Sequence, residues 1–209
     1  MTVLPTSSLA ARCTFAGTGR TAAWALSALL SVLSPLAMAQ PVAVLLDATA
    51  GVSVSRAGQV SKAGPLQALN VQDELQVPAQ GRAVMLWARS GDEFIIEGTG
   101  TARIEVAGPA AVSGAAPLKR AVPAGREIRI SPVRLVQGGV VLRLSGSIPR
   151  VAPEVIEQRR PAQDAPFHER VAYGLWLEEV NAAPQARDWW RSLAAERPED
   201  ESLAARAAR

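Results

Sequence analysis

The chain has 209 residues, 48% of them hydrophobic, with 22 lysines and arginines against 19 acids and a net charge of +3. It is long enough to bury a core of its own, and its single cysteine, Cys13, rules out an internal disulfide framework. The basic residues are scattered, with no run longer than Arg159-Arg160, which argues against a phosphate-tracking stripe and so against a nucleic-acid partner.

Residues 1–39 read as a targeting segment. Arg12 and Arg20 supply positive charge without a single acid, and residues 22–33 (AAWALSALLSVL) form an apolar run too short to span a bilayer. Pro35 ends the run, and Ala37-Met38-Ala39 offers the small residues of a signal-peptidase site. Cleavage is expected after Ala39. It removes Cys13 and two arginines, leaving residues 40–209 with a charge near +1, no cysteine and no membrane span. The expected location is the periplasm.

Residues 40–148 carry the pattern of an all-β module: short runs of β-branched and apolar residues alternate with polar ones, punctuated by Gly, Pro, Asn and Asp. Residues 42–46 (VAVLL) are a continuous apolar run, expected as a buried first strand. Val52 and Val54 alternate with Ser53 and Ser55, and Arg56-Ala57-Gly58-Gln59 reads as a turn. Leu66, Leu69, Val71, Leu75 and Val77 predict a pair of short strands. Residues 82–88 (RAVMLWA) carry large apolar side chains at odd and even positions, so both faces of that strand should be covered. Ser90-Gly91-Asp92 turns the chain into a strand at Phe94-Ile95-Ile96. Ile104 and Val106, alternating with Arg103 and Glu105, predict the next. Further strands are expected near 111–113, 118–122, 127–130, 133–136 and 140–144, with Gln137-Gly138-Gly139 as a hairpin turn between the last two. About eleven short strands at this spacing favour a sandwich, barrel or solenoid over an α/β fold.

The order GVSVSRAG, then LQALNVQDELQVP, then GRAVMLWARSGDEFIIEGTGTARIEV resembles the FecR-like periplasmic domain. Gly51, Val52, Val54, Arg56 and Gly58 fit its opening strand and turn, and Leu69 and Asp73 its middle segment. Gln72-Asp73 stands where the family usually has Gly-Asp, and Ser90-Gly91-Asp92 alters the order of its Asp-Gly turn. The resemblance implies a twisted, solenoid-like all-β domain. The family's best-known members pass a surface signal to a cytoplasmic sigma factor. The sequence shows no anti-sigma segment, which speaks against that direct role.

Residues 149–165 are interrupted by Pro149, Pro153 and Pro161 and read as a linker, with a helical turn or two over 155–160. Residues 166–209 change to helical spacing. Phe167, Val171 and Leu175, with Tyr173, Trp176, Leu177 and Val180, recur at three and four. Residues 181–183 break that helix, Pro184 suits the first turn of the next, Pro198 ends it, and a short third helix follows over 203–208. Residues 186–200 (ARDWWRSLAAERPED) resemble the second half of a tetratricopeptide unit, present once. Because such stacks need about three repeats to stand alone, the hairpin must lean on the β-module, on a second copy or on a partner.

No catalytic, cofactor-binding or metal-binding set emerges. His168 is the only histidine, so a metal site or a Ser-His-Asp relay has nothing else to build on, and a structural role is expected. Asp73-Glu74, Asp92-Glu93 and Glu178-Glu179 are adjacent carboxylates; neighbours on a strand point to opposite faces and do not make an acid/base pair. The candidate interaction residues are Tyr173, Trp176, Trp189 and Trp190, set against the alternative that they form the hairpin's own core. The expectation is a mainly β protein, a FecR-like solenoid or sandwich-like module followed by a small helical hairpin. It would act without enzymatic chemistry as an interaction or sensory scaffold for an envelope protein. The alternatives are a cell-wall or polysaccharide binding module, which would want a row of exposed aromatics, and a hydrolase using carboxylates from separate turns such as Asp73 and Asp92.

Overall fold

Among the described residues the β-module forms ten strands, the tail three helices and the proline-interrupted stretch before it a fourth. The computed structural model describes residues 41–122, 128–130 and 151–208, all within one compact unit. The strands are β1 (Pro41–Ala48), β2 (Ser53–Arg56), β3 (Gln59–Lys62), β4 (Ala68–Asn70), β5 (Glu74–Val77), β6 (Arg82–Trp87), β7 (Glu93–Glu97), β8 (Gly100–Ile104), β9 (Pro109–Gly114) and β10 (Leu118–Arg120). The helices are α1 (Pro153–Arg159), α2 (Phe167–Glu179), α3 (Ala183–Glu196) and α4 (Glu201–Ala207).

The strands build two five-stranded sheets, β10-β7-β6-β1-β4 and β3-β2-β5-β8-β9. Every pairing among the described residues is antiparallel. Solenoid coils stack their strands in parallel, so of the two architectures expected for the β-module the sandwich-like one is found.

Strand alternation decides what packs where. On β1 and β6, Ala43, Leu45, Ala83, Met85 and Trp87 face the second sheet and meet Val54, Leu75, Ala102 and Ile104. Val44, Leu46, Val84, Leu86 and Ala88 point the other way and meet Val171, Leu175, Leu177 and other residues of the helices. The first sheet is therefore the middle layer of three. That explains the unbroken apolar run of β1 and the two-faced run of β6: a strand buried on both faces has no wet side to carry polar residues. Each fully buried leucine here contributes about 2 kcal/mol. The outer face of the second sheet is polar, and Glu74 and Arg103 pair across it at 2.9 Å from opposed register positions.

The β2–β3 hairpin turns on Ala57 and Gly58, with φ of 50° and 81°. Both central residues are left-handed, as a two-residue turn requires if its twist is to match the strands. Strand β3 was not expected. Its four residues are all exposed, so its sequence has no buried face to betray it. Val106, expected in one strand with Ile104, is instead 68% exposed, because β8 ends at Ile104 and the chain is already turning. Residues 128–130 do not form the expected strand; Ile130 donates its amide to the Ala88 carbonyl at 2.9 Å, and Ile128 and Ile130 join the core beneath the helices. The strands expected at 133–136 and 140–144, their hairpin turn and the targeting segment lie outside the described residues.

The helical tail follows its expected course. Helix α2 ends in a Schellman motif: Asn181 has φ of 65°, the Ala182 amide reaches the Leu177 carbonyl at 2.9 Å and the Asn181 amide reaches Glu178 at 3.1 Å. Pro184 sits in the first turn of α3. The stretch read as a linker holds α1, whose Ile156 is buried in the core shared by sheet and helices. The hairpin leans on the β-module. Arg197 joins Asp47 of β1 at 2.9 Å and lies 3.4 Å from the Phe167 ring centroid, while the Ser202 hydroxyl donates to the Pro65 carbonyl at 2.7 Å. Among the described residues no helix is long and apolar enough to cross a membrane.

Candidate functional site

The adjacent carboxylates Asp73-Glu74 and Asp92-Glu93 separate, and each acquires its own cation, Arg103 in the case of Glu74. Asp73, 2% exposed, is gripped by Arg56 through three hydrogen bonds of 2.7 to 3.2 Å and also accepts the Asn70 amide at 2.8 Å. The bond to Asp73 raises the Arg56 pKa. Asp92 meets Lys119 at 2.8 Å, and that hydrogen bond holds its carboxyl below the usual range. Glu93 meets Arg120 at 3.1 Å. Asp73, buried and held by Arg56 and the Asn70 amide, is a structural clamp. Asp73→Ala strands the Asn70 amide and leaves the half-exposed Arg56 with its bond to the Ala68 carbonyl but no carboxylate. The expected cost is about 2 kcal/mol in urea unfolding; a loss under about 0.5 kcal/mol would show that the clamp contributes nothing.

At the β10 end of the first sheet, the described residues leave a half-open cleft against α1 and α2. Its volume is about 70 Å³, and its lining includes Glu93, Arg120, Ile128, Ala172, Tyr173 and Trp176. Arg120 is the junction. It bonds Glu93 on β7, Glu169 on α2 and the Nε2 atom of His168. A guanidinium can only donate, so Nε2 accepts and the ring proton sits on Nδ1, which is buried and has no partner among the described residues. Burial, followed by the neighbouring Arg120 and Arg82, drives the His168 pKa down to about 4. Burial also pushes Glu93 up, against the opposing pull of Arg120.

Three of the four candidate interaction residues share one aromatic cluster. Tyr173 stacks on Trp176 with centroids 5.6 Å apart and meets Trp189 edge-on at 4.8 Å. Tyr173 and Trp176 line the cleft, and the Tyr173 hydroxyl donates to the Ile156 carbonyl at 2.9 Å. Trp189 lies partly exposed beside a wide groove between α3 and the segment after α1, and its indole donates to the Arg170 carbonyl at 2.8 Å. Trp190 points elsewhere. It is 1% exposed, packs over Gly174 and donates to Glu178 at 2.8 Å. Arg120, Glu93 and Glu169 went unrecognised as a group because they lie on three separate elements; no spacing in the sequence joins them. Trp87, the aromatic of β6, is 2% exposed and packs edge-on to Phe94 at 5.0 Å, inside the sandwich.

Among the described residues, no group of three or more His, Cys, Asp or Glu side chains is placed to share a metal ion. No family model, curated protein or solved structure matches the chain.

Proposed function

We propose that this chain is a non-enzymatic interaction or sensory module of the bacterial envelope, exported to the periplasm, and that a partner protein docks at the cleft beside α2. The single observation that carries the reading is the cleft itself. It sets two aromatic rings of the helical hairpin beside the ion pairs of Arg120 at the seam between sheet and helices. The ion-paired carboxylates support the non-enzymatic part, since a general acid or base must be free to exchange its proton with a substrate. The compartment rests on the leader-like residues 1–39, and kinship with FecR-like domains rests on the motif order over residues 51–106. A module of that kind passes on occupancy through contact.

The test is site-directed photo-cross-linking in intact envelopes. A photoreactive phenylalanine analogue placed at Pro161, in the lining of the cleft, is expected to trap a discrete adduct. The same analogue at the exposed Val60 on β3 is expected to trap none. Equal labelling from both positions, or none from Pro161, rejects docking at the cleft.

A further inference from the structure

Building on the docking reading above, we infer that the cleft is an anchor pocket for one uncharged apolar side chain, of the size of valine or leucine, presented by a partner polypeptide. Size is the first argument. The cavity measures about 70 Å³, whereas an apolar cavity of about 150 Å³ admits a benzene ring; roughly three or four carbon atoms fit.

Charge is the second. The lining contains two carboxylates, Glu93 and Glu169, and two guanidinium groups, Arg120 and Arg159, which balance. Arg120 is bonded to both carboxylates, and Arg159 lies 4.7 Å from the Trp176 ring centroid. A charged guest would have to break one of these contacts or be desolvated without a counter-ion. A neutral apolar guest does neither. The walls agree: Val122, Ile128, Ala172, Tyr173 and Trp176 supply apolar and aromatic surface, and the Tyr173 hydroxyl is already committed to Ile156. Apolar and aromatic walls beside ion pairs that are already closed, with one side open, suit an interface hot spot. The opening admits a group carried on a larger chain.

Isobutyramide, isobutylamine and isobutyrate share the branched isopropyl group and differ in charge. Each is titrated into the full chain at neutral pH and followed by the methyl resonances of Val122 and Ile128, with the exposed Val60 and Val112 as references. Isobutyramide is expected to give saturable shifts at the cleft, with a dissociation constant on the order of millimolar. The two charged probes are expected to bind at least about tenfold more weakly. A charged probe that binds as well, or shifts no larger than those of the references, overturns the assignment. N-acetyl-leucinamide, which carries the branched group on a peptide unit, is expected to compete. If isobutyramide binds and this peptide does not, the side-chain guest is wrong. Ala172→Leu fills the pocket and is expected to abolish binding; Ala172→Val, a smaller filling, serves if the leucine variant does not fold, and full binding by a folded variant counts against the pocket. Saturable binding of isobutyramide and N-acetyl-leucinamide together with no adduct from Pro161 separates the two ideas: the pocket stands and the envelope partner falls.

Discussion

Trp190→Ala is expected to destabilise the protein by about 3–5 kcal/mol, the range for a fully buried large aromatic. The ring is 1% exposed and is held from three sides. Its indole donates to Glu178 at 2.8 Å, Arg206 lies 5.6 Å from its centroid, and beneath it α2 presents Gly174. That glycine is the sharper test. In a helix interior, Gly→Ala ordinarily stabilises by about 1 kcal/mol. Here an added Cβ would lie 2.5 Å from Trp190 Cζ2 and 2.6 Å from Cη2, well inside contact distance. The sign should reverse, and Gly174→Ala is expected to cost about 1–3 kcal/mol as the ring is forced off its seat. In a Trp190→Leu background the same change should become neutral or stabilising. A double-mutant cycle read by urea unfolding measures the coupling; additive effects would show that Gly174 and Trp190 are not in contact.

Acid is expected to weaken the protein as the pH falls from about 6.5 towards 4. His168 has a folded pKa of about 4 against an ordinary 6.5. The fold therefore prefers the neutral ring. The stability this contributes is fully present above the unfolded pKa and is lost as pH falls from about 6.5 towards 4. The shift corresponds to about 3 kcal/mol. The physical cause is first burial, since the added charge would be sealed between sheet and helices, and then Arg120, at whose guanidinium a protonated Nε2 would point its hydrogen. The other groups facing the ring act in both directions. Arg82 adds to the repulsion, Glu169 and Asp47 oppose it. Glu93, whose pKa is raised, contributes stability below its unfolded value that is lost as pH rises through its folded one. Urea midpoints measured from pH 7.5 down to 4.5 should fall steeply in the wild type and more gently in His168→Gln, which keeps a polar acceptor but no titration. Parallel curves would remove His168 as the cause.

Helix placement and strand alternation were legible because both are local. Three-and-four spacing from Phe167, the helix-starting Pro184 and the turn at Asn181 mark two helices without reference to anything distant. The two-faced run at residues 82–88 announced a strand covered on both sides, which is what the middle layer of a β/β/α stack requires. Motif order could not choose between solenoid and sandwich, since parallel and antiparallel neighbours impose the same period of two on each strand. Strand β3 escaped notice because an exposed edge has no buried face, and Val106 was misjudged because a period continues on paper past the residue where the chain turns.

The amino-acid order by itself determined a disulfide-free, mainly β body with a helical pair behind it, and the absence of a local catalytic motif. Only tertiary structure decided that the pair is seated on the first sheet, that Trp190 is inside while Tyr173 and Trp176 border a cleft, and that Arg120 gathers Glu93, His168 and Glu169. Secondary structure is written in spacings of two to four residues, which a linear reading can see. A cleft is written in contacts between residues 93, 120 and 169, and those distances exist only once burial of the apolar faces has brought the layers together.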